Sequence, residues 1–191
     1  MRTHSVRSTF VLALILLAAG LPPQGCSRDS RSPEVPKELA GLPITRELQG
    51  EEAARLVTRM HGKAVVPKEN IVAYYGRERI PNVVYLSRYP SEDGAKQALK
   101  RMAEKIGPGS YGFTHHGRFS VQSIPVHFVL GHGQIHFFFA KGKGLYWLAI
   151  DPTRAQEALA DLLEVSSKKV PTPREFLRAY FEEKLRRQSA K

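Results

Sequence analysis

Five of the seven histidines in this 191-residue chain fall within one short stretch: His115, His116, His127, His132 and His136. Imidazole titrates nearest neutral pH of any side chain and is a common protein ligand for zinc, copper and haem iron. Spacing decides whether the rings can meet. Gly131-His132-Gly133 reads as a hairpin turn. A two-residue turn that sets Gly131 opposite Gln134 also sets Val129 opposite His136, and His127 opposite Phe138. His127 and His136 then lie diagonally on one sheet face, which makes them the candidate metal pair. A slip of one residue would move them to opposite faces. Both also suit the plainer role of hydrogen-bonded sheet residues. No HExxH pattern accompanies them and no thiol follows position 26, so the sequence assigns no cofactor.

The segment feeding this hairpin, Gly107-Pro-Gly-Ser-Tyr-Gly-Phe-Thr-His-His-Gly117, is rich in glycine. Tyr111, Phe113, His115, His116 and the following Arg118 put aromatic and cationic side chains on a loop. That combination suits a ligand or partner anchor. The aromatic pair can equally fold back as plugs for the core. The stretch is not a nucleophile elbow, because Pro108 stands where that turn needs glycine. A phosphate-binding loop and a dinucleotide fingerprint are both missing from the sequence. These residue types offer binding chemistry, and no catalytic motif marks the chain as an enzyme.

The single thiol is Cys26. Arg2 and Arg7 open the chain, and no acidic residue precedes Asp29. The apolar run from Phe10 to Leu21 is shorter than the ~20 residues a spanning helix needs. Pro22-Pro-Gln-Gly25-Cys26 follows it. Basic start, short apolar core and small residue at the cut are the marks of an export signal. A lone thiol has little use in an oxidising compartment unless it is modified.

With Gly25 immediately before Cys26, the segment resembles the bacterial lipoprotein signal. The resemblance implies cleavage before Cys26, a diacylglycerol on its thiol and an acyl chain on its new amino group. Each buried methylene contributes about 0.8 kcal/mol, so two or three chains anchor firmly where one does not. The rival cut lies after Gly20, with Ala18 and Gly20 as the small-residue pair. The lipoprotein reading implies a lipid-anchored, periplasm-facing envelope protein. Ser27 in place of Asp after the cysteine implies the outer membrane rather than the inner one.

The net charge is +11, from 29 Lys plus Arg against 18 Asp plus Glu. Such a charge would suit nucleic acid, but export argues against that partner. It fits an anionic lipid surface or an acidic envelope protein. The basic residues are spread along the chain and also serve solubility.

The elements that must position these residues follow from periodicity. Residues 1–25 form the signal, and residues 26–43 read as a tether rich in proline and charge. Residues 44–165 form one domain. Helices are expected over Gln49–His61, after Ser91 as far as Gly107, and after Asp151-Pro152. Strands are expected at Ile71–Tyr75 and Asn82–Tyr89. A three-strand meander covers Arg118–Leu130, Gln134–Ala140 and Leu145–Ile150. Pro125 places the first of these at an edge or a bulge. Residues 166–191 form a linker and an amphipathic helix opened by the capping box Thr172-Pro-Arg-Glu175. That helix either closes the core, lies on anionic membrane or docks a partner. The aromatic run Phe137-Phe138-Phe139 offers both faces to cover. If one stays open, it is a groove for a hydrophobic ligand or lipid, making the chain a carrier. The class is α+β, a mainly antiparallel sheet of two strands plus the meander, with helices packed over one face and an extra C-terminal helix.

Overall fold

The computed structural model describes residues 33–61, 67, 69–107 and 112–189. Cys26, residues 1–25 read as an export signal, and Tyr111 lie outside the described residues.

Twelve elements are named here in chain order. β1 is Glu38–Leu39, β2 Leu42–Gln49, α1 Gly50–His61, β3 Glu69–Tyr75, β4 Asn82–Arg88 and α2 Glu92–Ile106. β5 is Thr114–Val121, β6 Ile124–Gly131, β7 Gln134–Lys141, β8 Gly144–Ile150, α3 Ala155–Leu163 and α4 Pro173–Ser189. Short 3-10 turns at Pro152–Arg154 and Ser167–Lys169 flank α3. Among the described residues one eight-stranded sheet forms, ordered β1-β2-β3-β4-β8-β7-β6-β5. Every neighbouring pair is antiparallel. The class is α+β with a C-terminal helix, as the sequence predicts.

Tight turns impose this sheet. Ala40-Gly41, Gln122-Ser123 and His132-Gly133 each have positive φ at both residues, the geometry whose twist matches flanking strands. The Gln122-Ser123 turn corrects the expected strand over Arg118–Leu130. That stretch is two strands, β5 and β6, so the meander has four strands. Gln and Ser lack the usual glycine or asparagine signature of such a turn, so pattern alone reads through it. Pro125 lies on β6, an interior strand. It pairs with Ser120 on one side but falls just beyond the last β6–β7 pair, Val126–Phe139. Alternate pairs outward from Gly131–Gln134 exchange hydrogen bonds, so position 125 would have to donate towards β7. Proline has no N–H to give, and the ladder stops there.

The helices cover both faces, which corrects the expectation of one covered face. Ala53 and Val57 of α1 pack on Leu48, Val72 and Val83. Ala98, Leu99, Met102 and Ile106 of α2 pack on Val129, Phe138, Leu145 and Trp147. On the opposite face Ala155, Ala158, Leu159, Leu162 and Leu163 of α3, with Phe176 of α4, meet Phe128, Phe137, Phe139, Tyr146 and Leu148. Period-two alternation divides the aromatic run, so Phe138 faces α2 while Phe137 and Phe139 face α3 and α4. All three are at most 1 % exposed, each worth about 1.5–3 kcal/mol of burial. Two covered faces leave no open aromatic groove on this strand. The enclosed space between α1, α2 and the sheet is about 20 Å3, lined by Val57, Tyr85, Met102 and Trp147 among others, roughly room for one water.

Caps match their signals. Ser91 Oγ accepts from Gly94 N at 3.1 Å. Thr172 Oγ1 accepts from Glu175 N at 3.3 Å while Thr172 N donates to Glu175 Oε2 at 2.8 Å, a reciprocal capping box. Both ends of the expected domain move. From Pro33 onward the supposed tether is folded on the sheet, and Leu39 is fully buried. At the other end Phe176 is 4 % exposed within the core, so the first half of α4 belongs to the domain.

Candidate functional site

The β6–β7 register is the one the hairpin predicts: Gly131–Gln134, Val129–His136 and His127–Phe138. His127 and His136 therefore share the face covered by α2. Each has its own hydrogen-bond partner on that face, His116 for His127 and Trp147 for His136.

His136 is 5 % exposed. Its Nδ1 accepts from Trp147 Nε1 at 3.1 Å. Indole nitrogen only donates, so Nδ1 carries a lone pair and Nε2 carries the proton. Nε2 lies 3.2 Å from Gly131 O and donates to it. Both nitrogens are committed. Burial is the first cause that pushes this imidazole down, to about 4, so it is neutral near pH 7.

His127 stands beside His116. His116 Nδ1 lies 3.2 Å from the Gly107 carbonyl and must donate to it. His116 Nε2 is then an acceptor, and His127 Nδ1 donates to it at 3.1 Å. The sequence of donors ties the end of α2 to β5 and β6. Burial lowers the pKa of His116. Burial, then the neighbouring His116 and Arg118, push His127 down to about 4. The His127 ring stacks on Phe138 at 5.0 Å, and Phe138 stacks on Trp147 at 5.2 Å. Among the described residues no group of three or more His, Cys, Asp or Glu could hold a metal ion.

A bulge separates the two adjacent histidines of β5. Thr114 pairs with Leu130 and Gly117 with Phe128, so His115 and His116 together oppose Val129. His115 takes φ 57°, as a bulge residue does. His116 consequently turns toward α2. His115 turns toward α4, 5.9 Å from the Tyr180 ring and 5.3 Å from Phe181. The candidate loop set thus divides. Phe113 joins the α2 side, edge-on to His136 at 4.8 Å and to His132 at 5.3 Å. Arg118 pairs in register with His127 and is exposed.

The α4 corner is the part that the histidine pattern did not reveal. Tyr180 reaches the sheet only because position 117 is glycine. A Cβ there would lie 2.4 Å from Phe128 and 2.9 Å from Tyr180. Past Tyr180 the helix leaves the core: Phe181 is 44 % exposed and Leu185 62 %. The readable signal was the i, i+4, i+5, i+9 series Phe176, Tyr180, Phe181 and Leu185, an apolar stripe longer than the core it covers. Trp147 as the donor to His136 was also legible, since the same register puts them diagonally on one face.

Neither a scan against family models nor searches of curated proteins and of solved structures returned any match to this chain.

Proposed function

We propose that this chain is a lipid-anchored binding module of the bacterial cell envelope. Cys26 carries the lipid, and the outer half of α4 beside β5 receives an acidic envelope partner. The observation that carries the reading is the pair Phe181 and Leu185, exposed one turn apart on a helix whose first half is locked in the core. Exposed aromatic and aliphatic side chains among arginines are the composition of a protein interface rather than of a solvated helix face. Arg178, Lys184, Arg186 and Arg187 lie along the same helix, interleaved with Glu182 and Glu183, which pair with the three arginines. Cleavage before Cys26 removes Arg2 and Arg7 from the 29 Lys plus Arg, and the remaining 27 against 18 Asp plus Glu, a net +9, favours an acidic partner over a second copy of the chain. The export segment ending at a lone cysteine supports the envelope location.

Two measurements test it. Intact mass of the chain from native membranes should show a start at Cys26 with two or three acyl chains. A start upstream without fatty acid overturns the anchor. A photo-crosslinker placed at Phe181 should capture one stoichiometric neighbour in those membranes, while one at exposed Gln97 captures none. Equal capture at both positions overturns the α4 surface.

A further inference from the structure

The first described residues form a strap across the α3 side of the sheet. Arg88 Nε donates to Pro33 O at 2.7 Å, the Tyr146 hydroxyl to Glu34 O at 3.4 Å and the Tyr75 hydroxyl to Pro36 O at 2.7 Å. Ile44 N then donates to Lys37 O at 3.0 Å. All four acceptors are main-chain carbonyls, so the path is held by backbone rather than by the identity of the strap residues. Burial raises both phenols, Tyr146 to about 12, and keeps them as donors.

The strap fixes where the chain enters. Arg88 ends β4 and pairs with Gly144, the first residue of β8. A side chain on Gly144 would come within 2.8 Å of Pro33 Cβ. Pro33 therefore sits at the end of the sheet that carries the Gln122-Ser123 and Gly142-Lys143 turns. Strand direction puts Thr114, the His132-Gly133 turn and the loop from Gly76 to Pro81 at the opposite end.

We propose that the sheet end carrying the Gln122-Ser123 and Gly142-Lys143 turns is the bilayer-facing surface of this protein, with the Lys143 ammonium meeting anionic phospholipid headgroups. The inference rests on acylation at Cys26. About seven residues separate Cys26 from Pro33, which span at most ~25 Å fully extended. Strands of eight residues place the far end another ~27 Å away. The near end therefore stays within tether reach of the headgroups. Its tips are polar: Gln122, Ser123 and Lys143 are exposed. Lys141 beside them is held by Glu164 at 2.8 Å, leaving Lys143 as the outward cation of that hairpin. This orientation also turns the loop from Gly76 to Pro81 and the start of β5 towards the aqueous compartment, where an envelope partner approaches.

The test uses the full lipidated chain in vesicles of phosphatidylethanolamine and phosphatidylglycerol that contain a headgroup spin-labelled lipid. Fluorophores are attached to Gln122→Cys in one preparation, which leaves Lys143 in place, and to Arg79→Cys in another, the acylated Cys26 sulfur being unreactive; both positions are exposed. Severalfold stronger quenching at position 122 than at 79 is expected. Equal quenching, or stronger quenching at 79, in a chain whose mass shows its acyl groups overturns the orientation alone. A chain without acyl groups overturns the anchoring and the orientation with it.

Discussion

Trp147 Nε1 and the Gly131 carbonyl together fix both the tautomer and the charge of His136. Removing the donor leaves a buried lone pair unpaired, which costs about 1–3 kcal/mol. Trp147→Phe, which keeps the stack on Phe138, should lower the unfolding free energy measured by urea titration by that amount without changing the fold seen by far-ultraviolet circular dichroism. The same ring sets a pH dependence. Its folded pKa of about 4 lies below the ordinary imidazole value of 6.5, so the folded state binds fewer protons than the unfolded chain. The stability it contributes is present above pH 6.5 and is lost as pH falls toward 4. For this buried ring the loss between pH 7 and pH 5 is about 2 kcal/mol. His127, also pushed down to about 4, adds loss in the same window and with the same sign. Urea titrations at pH 7 and pH 5 should show the drop. His136→Phe should reduce the drop to the part that His127 contributes, whatever the overall stability of the variant.

At the scale of elements, α4 divides near Tyr180 into a half packed in the core and a half whose apolar residues are exposed. Phe176 stacks on Phe119 at 5.3 Å and meets Phe128 at 4.6 Å. Phe176→Ala should cost about 3–5 kcal/mol, read as a large fall in the thermal midpoint. Leu185→Ser changes a residue that is 62 % exposed and should leave stability within about 0.5 kcal/mol while weakening capture of the partner. Gly117→Ala tests the seat between them. A Cβ forced against Phe128 and Tyr180 should lift the helix off β5, seen as faster amide exchange over α4 than over α2. The ion pairs along α4, such as Arg187–Glu183 at 2.8 Å, are exposed and contribute little to holding it.

For the molecule as a whole, two covered sheet faces leave the sheet ends and the outer half of α4 as the surfaces on which binding specificity can be built. In the proposed orientation the end beside Pro33 faces the membrane and the other is left for a partner. Contact with an acidic partner through a basic helix should weaken as ionic strength rises, because exposed charges are screened within ~10 Å at 0.1 M salt. The lipid anchor should not weaken. A salt wash of native membranes before irradiation should therefore abolish capture at Phe181 while the acylated chain stays in the pellet.

Much of this arrangement was legible in the residues. The caps at Ser91 and Thr172, the helices α1 and α2, and the register that pairs His127 with Phe138 all depend on interactions a few residues apart, and such interactions are written in spacing. The antiparallel α+β class followed from turns too short for any other connection. What the chain did not disclose depended on distant contacts. The Gln122-Ser123 turn has no glycine to announce it, and β1 and β2 lie in a stretch whose prolines and charges mask Leu39, Leu42 and Leu48. The tertiary fold alone decided that His116, not His136, partners His127, because a bulge at His115 rotates one ring to each face. It also decided that helices cover both faces and that α4 outruns the core. Those outcomes depend on which surfaces meet after the chain has closed on itself, and no local pattern encodes them.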